Sequence, residues 1–72
     1  MISFDPLWDT MKKRGISQYT LVKDYKFSAG KLDSLRNNKN VTTNTIDDLC
    51  KILNCEVHEI IRYIPDNRQV EK

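Results

Sequence analysis

The 72-residue sequence has few of the residues that build metal centres and disulfide networks. It contains two cysteines, one histidine, two glycines and two prolines. Cys50 and Cys55 do not have the spacing of a zinc site, and no second pair exists to complete one. We therefore expect both to be small apolar core residues with reduced thiols. His58 is expected at the surface or at a helix cap, so the sequence predicts neither a metal nor a cofactor.

Long apolar runs and catalytic groupings are also missing. No run approaches the roughly 20 apolar residues that span a bilayer, and the beginning of the chain lacks the basic and apolar regions of a secretory signal. These absences predict a cytoplasmic protein without membrane contact. There is no nucleophile–base pair or phosphate-binding loop, and the adjacent Asp47 and Asp48 would point about 100° apart on a helix. The sequence predicts neither an enzyme nor a small-molecule ligand.

Positive charge, by contrast, is concentrated in one half of the chain. The formal net charge is only +2. Residues 12–39 carry eight lysines and arginines against two aspartates, a net of +6, whereas residues 40–72 carry four cations against six acids, a net of −2. A basic segment beside a mildly acidic one is how a small domain presents one face to phosphate. The alternative is that these lysines are simply solvated surface residues.

Helix start and stop signals mark the first two predicted helices. Asp5-Pro6 begins the first helix with a capping carboxylate followed by a proline, and Gly15 ends it. Ser17 is a suitable cap for a second helix over about residues 18–24.

Three further helices are predicted beyond this point. Ser28 caps a third helix over about residues 29–37, and Thr42 or Thr43 begins a fourth that ends at Asn54. The fifth is predicted from an apolar set at helical spacing. Its members are Val57, Ile60, Ile61 and Ile64.

These signals predict a single all-α domain of five helices over residues 1–65, followed by a polar tail at residues 66–72. No segment alternates with a two-residue period for long enough to indicate a strand. Trp8 and Tyr19 lie on separate helices, so we expect them in the core or at its edge rather than as platforms for stacked bases. The second and third helices, within residues 17–37, form a basic helix–turn–helix, a motif suited to entering a groove of DNA.

A series of residues carries a resemblance to a known family. The series is Gly15-Ile16-Ser17-Gln18, Leu21, Phe27-Ser28, Leu32, Leu35, Thr45-Ile46, Leu49-Cys50, Leu53-Asn54-Cys55 and Ile60-Ile61. In this order and spacing it resembles the Cro and CI-repressor type of helix–turn–helix domain, the Xre family. The segment TIDDLCKILNCEVHEIIRYIPD is similar to the end of a compact bacterial subgroup. The resemblance implies a lambda-repressor-like, five-helix DNA-binding fold with a central helix–turn–helix.

Two positions depart from the family pattern. The corner between the second and third helices usually carries a left-handed glycine, and here it is Lys26. A lysine in that conformation costs about 1 kcal/mol or forces a different turn. Val22 replaces the small residue that usually lies where the two helices touch, which is expected to move them slightly apart.

The resemblance also implies which residues contact DNA. Gln18, beginning the second helix, would reach a backbone phosphate, where a helix N-terminus offers N–H groups to the same oxygen. The residues expected to face the groove are Ser28, Ala29, Gly30, Asp33, Ser34 and Asn37. Those expected to clamp flanking phosphates are Lys31, Arg36, Asn38, Lys39 and Thr42. Serine can contact a base edge or a phosphate, and asparagine can read adenine through two hydrogen bonds.

Two of the groove-facing residues allow more than one interpretation. Gly30 costs about 1 kcal/mol relative to alanine inside a helix, so it is either needed for close approach to the duplex or a tolerated imperfection. Asp33 would be repelled by phosphate unless it accepts from a cytosine amine or pairs with Arg36 or Asn37 on its own helix. We favour local pairing.

These observations predict a sequence-specific regulator that binds double-stranded DNA, a repressor with its third helix in the major groove. A domain of this size covers half of an operator, so we expect a homodimer on a pseudo-palindromic site. The dimer surface is expected near the fifth helix and the tail, at Ile61, Tyr63, Ile64 and Val70. The alternative is a protein-interaction module of the same fold, an antitoxin or a partner of another regulator, with little affinity for DNA.

Overall fold

A computed structural model describes residues 1–65 of the chain. It contains four α-helices and one short 3₁₀ helix, with a two-residue strand near each end of this range. The elements in chain order are β1 (Ile2–Ser3), α1 (Asp5–Arg14), α2 (Gln18–Lys23), α3 (Ala29–Arg36), α4 (Thr43–Leu53), the 3₁₀ helix (Val57–Glu59) and β2 (Arg62–Tyr63). The predicted tail, including Val70, lies outside the described residues.

The first helix begins differently from the prediction. Asp5 is the first residue of α1, and Phe4 occupies the capping position without a side-chain cap. Asp5 therefore does not cap α1; its own N–H donates to the Ser3 hydroxyl at 3.2 Å. The predicted end is confirmed, because Gly15 adopts a left-handed φ of +71° after the last turn.

The helix–turn–helix is formed by α2 and α3, and both predicted serine caps are confirmed. The Ser17 side chain accepts from the Thr20 N–H, and the Ser28 side chain accepts from the Lys31 N–H. Between the helices Lys26 takes a left-handed φ of +58°. The corner thus has the left-handed conformation that the resemblance implies, with a lysine in place of the usual glycine.

The fourth helix has the predicted bounds. Thr42 caps α4 by accepting from the Thr45 N–H, and Asn54 ends it with a left-handed φ of +51°. Arg14 donates to the Leu53 and Asn54 carbonyl oxygens at 2.8 and 3.0 Å. These bonds join the end of α1 to the end of α4.

The prediction of a fifth α-helix is wrong. In its place the 3₁₀ helix makes a single turn, held by a capping box in which Glu56 and Glu59 satisfy each other's backbone N–H groups. The chain then straightens into β2, which pairs antiparallel with β1 through Ile2 opposite Tyr63 and Ser3 opposite Arg62. The expectation that the domain contains no strands is therefore also wrong.

The core lies where α1, α2, α3, α4 and the 3₁₀ helix converge. Its buried apolar side chains are Phe4, Leu7, Met11, Leu21, Phe27, Leu32, Leu35, Leu49, Leu53 and Ile60. Trp8, Cys50 and Cys55 are half-buried against this cluster, and both cysteines are free thiols. Tyr19 is 70% exposed, so its predicted place in the core or at its edge is wrong.

The described part of the chain is free of two kinds of feature. Within residues 1–65, no helix combines the length and the apolar character required to cross a membrane. In the same range, no three histidine, cysteine, aspartate or glutamate side chains group where they could hold a metal ion.

Candidate nucleic-acid interface

The outer face of α3 is polar and open to solvent. Leu32 and Leu35 are buried in the core, which turns the opposite side of this helix outward. On that side Ala29, Gly30, Asp33 and Asn37 are exposed and Ser34 is half-buried. The residues predicted to face a DNA groove therefore share one accessible surface.

Ser28 begins this surface and is itself exposed. Its Oγ accepts from the Lys31 N–H at 3.3 Å, which satisfies one of the N–H groups left unpaired at the start of α3. The hydroxyl hydrogen remains available as a donor. Ser28 can therefore shape the helix start and still contact a phosphate or a base edge.

Gly30 lies in an open part of the same surface. A Cβ atom added at this position would meet only the Ser28 Oγ, at an ordinary contact distance of 3.7 Å. Its φ is not among the positive values of the described residues. Neither backbone conformation nor packing within the described chain therefore requires a glycine here.

Three polar side chains link α2 to α3. The Arg36 Nη1 donates to the Gln18 Oε1 at 2.7 Å, and the Arg36 Nη2 lies 3.4 Å from the Asp33 Oδ1. The pairing of Asp33 with Arg36 that the sequence favours is thus confirmed. We call Gln18, Arg36 and Asp33 the interhelix network.

A shallow cleft brings α3 together with the beginning of α4. Four of its lining residues, Ser28, Gly30, Lys31 and Ser34, come from α3 or its cap, and Thr42 comes from the cap of α4. Five residues predicted to contact DNA therefore lie around one depression, although Thr42 is distant from the others in sequence.

The chain is similar to known proteins in both sequence and structure. The family model for the Cro/C1-type HTH DNA-binding domain matches residues 6–66, which is most of the chain. The chain belongs to this family. Its fold is similar to the crystal structure of the transcriptional regulator VanUg, form II, with a TM-score of 0.80 and 26% sequence identity over 90% of this chain and 87% of that one. A comparison with curated proteins gave no match.

In this Cro/C1-type domain, the turn after α3 holds two asparagines with structural hydrogen bonds. Asn37 ends the helix, and its Nδ2 donates to the Asp33 carbonyl oxygen at 2.9 Å. Asn38 has a left-handed φ of +52°, and its Oδ1 accepts from the Phe4 N–H at 3.0 Å. Both residues are exposed beside the α3 surface, but parts of their hydrogen-bonding capacity are used within the chain.

The predicted phosphate-binding cations of the Cro/C1-type domain all reach solvent. Lys31, Arg36 and Lys39 are exposed and flank the α3 surface in the sequence. Arg36 differs from the two lysines because its guanidinium already contacts Gln18 and Asp33. Its positive charge is consequently shared with a carboxylate before any phosphate approaches.

Sequence reasoning missed one cation–π pair on α2 and one residue that lines the cleft. The ammonium group of Lys23 lies 5.5 Å from the centre of the Tyr19 ring, within cation–π range. Helical spacing of four residues could have indicated this pair. Val41, on the wall of the cleft, carries no sequence signal, since it lines the site only through the meeting of α3 and α4.

Proposed function

We propose that this chain is a sequence-specific regulator of transcription that binds double-stranded DNA and acts as a repressor. In this proposal α3 enters the major groove and the beginning of α2 lies against the phosphate backbone. The observation that carries the proposal is the exposed polar face of α3, bordered by cations, in a chain of the Cro/C1-type family. Insertion in the groove would cover this exposed face and bring its polar groups against base edges.

The proposed contacts with DNA fall into two groups, those to base edges and those to phosphates. Base edges would be read by Ser28, Ala29, Ser34 and Asn37, with Asp33 paired to Arg36 beside them, whereas phosphates would be held by Gln18, Lys31, Arg36, Asn38, Lys39 and Thr42. Phosphate contacts bring affinity and salt dependence, and base contacts bring sequence preference. The α3 face has few large side chains, so part of the preference would come from DNA shape.

Gly30 supports close approach of α3 to the duplex. An alanine would fit the folded chain and would favour the helix by about 1 kcal/mol. We expect Gly30→Ala to raise the free energy of unfolding in urea titrations while weakening binding to DNA in fluorescence anisotropy. Unchanged DNA affinity in the stabilised variant would contradict close approach at this position.

The decisive experiment measures anisotropy of labelled random and selected duplexes over a range of salt. The wild-type chain should bind random duplex at about micromolar concentrations, with affinity falling steeply as salt rises. Changing Lys31, Arg36 and Lys39 together to glutamate should abolish this binding. The selected duplexes come from a random pool, which also reveals the operator and its symmetry.

A matched pair of variants reverses the same number of charges at two places. Lys12 and Lys13 are exposed in the last turn of α1, outside the α3 surface. Their double glutamate variant should retain more affinity than the double glutamate variant of Lys31 and Lys39. Equal losses would indicate non-specific attraction only, and no binding by the wild type would favour the protein-interaction alternative.

The proposed regulator acts as a homodimer on a pseudo-palindromic operator. The predicted dimer surface of Ile61, Tyr63 and Ile64 lies at β2, where Tyr63 is 58% exposed and pairs with Ile2 of β1, which is 46% exposed. Burial of this surface in a second copy would remove apolar area from water. Sedimentation equilibrium should detect a dimer that Ile2→Glu converts to a monomer, and a monomeric wild type bound to a single half-site would contradict it.

A further inference from the structure

The interhelix network joins the two helices of the helix–turn–helix through side chains alone. Gln18 is the first residue of α2 and Arg36 is the last residue of α3. One guanidinium nitrogen of Arg36 donates to the Gln18 Oε1 at 2.7 Å, and the other lies 3.4 Å from the Asp33 carboxylate. The Arg36 and Asp33 side chains are 45% and 59% exposed, so the network lies at the surface.

Hydrogen-bond chemistry determines which end of the Gln18 carboxamide faces Arg36. The two ends of a glutamine carboxamide differ, since the oxygen only accepts and the nitrogen only donates. Arginine can only donate, so Arg36 must face the oxygen of Gln18. The Gln18 Nε2 is then the end left for another partner, and a phosphate oxygen, which only accepts, is a matching one.

We propose that Arg36 is a positioning residue for DNA binding, which holds the Gln18 carboxamide with its amino group toward the phosphate backbone. This inference rests on the function proposed above. Asp33 supports the arrangement by holding the second guanidinium nitrogen of Arg36. The network therefore assigns Asp33 a role that does not require a cytosine partner, and it assigns Arg36 a role beyond that of a phosphate clamp.

The proposal distinguishes charge from geometry at position 36. The planar fork of arginine presents two nitrogens in fixed positions, whereas lysine presents one ammonium group. Arg36→Lys therefore keeps the positive charge beside the DNA but cannot reproduce both contacts. We expect this variant to bind random duplex about three- to tenfold more weakly, as for loss of one hydrogen bond, with the salt dependence nearly unchanged.

A double-mutant cycle on random duplex tests the coupling. Gln18→Ala and Arg36→Lys should each weaken binding, and the double variant should bind no more weakly than the weaker single variant. The control cycle combines Gln18→Ala with Lys39→Ala, a residue outside the network, and its losses should multiply. Multiplying losses in the first cycle, or wild-type binding by Arg36→Lys, would overturn the positioning role.

A measurement without DNA separates this inference from the function on which it rests. In nuclear magnetic resonance spectra of the free chain, Arg36→Lys should shift the Gln18 side-chain amide signals, and Lys39→Ala should leave them in place. If the wild type does not bind duplex, the proposed function fails although the network is present. If it binds but the Gln18 signals are unmoved by Arg36→Lys, the positioning inference alone fails.

Discussion

Lys26 holds a backbone conformation that suits glycine better than lysine. Within residues 1–65, it is the one residue with positive φ that is neither glycine nor asparagine. The Cβ atom of an L-residue is crowded in this region, at a cost of about 1–2 kcal/mol. We expect Lys26→Gly to raise the free energy of unfolding by about 0.5–1 kcal/mol, since glycine relieves the crowding but adds freedom to the unfolded chain.

Urea unfolding followed by circular dichroism measures this change. Lys26→Ala is the matched control because it removes the same ammonium group and keeps the Cβ atom. The alanine variant should gain little, and equal gains in the two variants would assign the effect to charge instead of backbone conformation.

Cys55 should react slowly with thiol reagents while the chain is folded. Burial, with the neighbouring Cys50 and Glu59 acting in the same direction, raises the pKa of the Cys55 thiol to about 11. The thiolate is the nucleophile, so raising the pKa from its ordinary value of 9.0 lowers the thiolate fraction, and with it the reactivity near pH 8, by about two orders of magnitude.

Alkylation of the wild-type chain by iodoacetamide, followed by mass spectrometry of the peptide that contains Cys55, tests this expectation. The rate should rise when urea unfolds the chain at constant pH. Equal rates for the folded and unfolded chains would contradict the raised pKa.

Individual contacts were predictable when both partners lie close in sequence. The Ser17, Ser28 and Thr42 caps each bond an N–H three residues later, so local pattern alone indicates them. The pair of Asp33 and Arg36 is likewise one helical turn apart. The contact of Arg36 with Gln18 spans 18 positions and depends on how α2 crosses α3, which no local pattern describes.

The region after α4 shows why the same reasoning failed for whole elements. Its apolar residues fit helical spacing, yet the capping box and the pairing with β1 limit the helix to one 3₁₀ turn. A strand of two residues cannot display alternation, and its stability comes from a partner at the other end of the described chain. The capping box joins Glu56 and Glu59, three positions apart, and could have been predicted from the segment, whereas the pairing with β1 could not.

The 3₁₀ helix should make stability depend on pH. The hydrogen bond from the Glu56 N–H lowers the pKa of the Glu59 carboxyl below its usual 4.5, and nearby cations reinforce this shift. A lowered folded-state pKa adds stability above the unfolded-state value, and that stability is lost as pH falls through the folded-state value. Glu59→Gln should therefore unfold at lower urea concentration at pH 7 and lose less stability than the wild type between pH 5 and 3. Parallel pH profiles for the two chains would contradict this role.

Hydrogen bonds join the two ends of the described chain to each other, and another joins its beginning to the turn after α3. The Ile64 N–H donates to the Met1 carbonyl oxygen at 2.8 Å, beside the pairing of β1 with β2. The Phe4 N–H donates to the Asn38 Oδ1 at 3.0 Å, across 34 positions. The turn that follows α3 is thus attached to the beginning of the chain.

Asn38 therefore has two roles to separate, a hydrogen bond within the fold and the proposed contact with a phosphate. Asn38→Gly accommodates the φ of +52° but removes the acceptor for the Phe4 N–H. Leaving this N–H without its partner should lower the free energy of unfolding by about 1–3 kcal/mol in urea titrations. Asn38→Asp is the matched control, because it retains an oxygen for that N–H and should remain closer to the wild type in stability. A glycine variant as stable as the wild type would show that Asn38 does not hold the turn, and its place beside α3 would then be explained by phosphate binding alone.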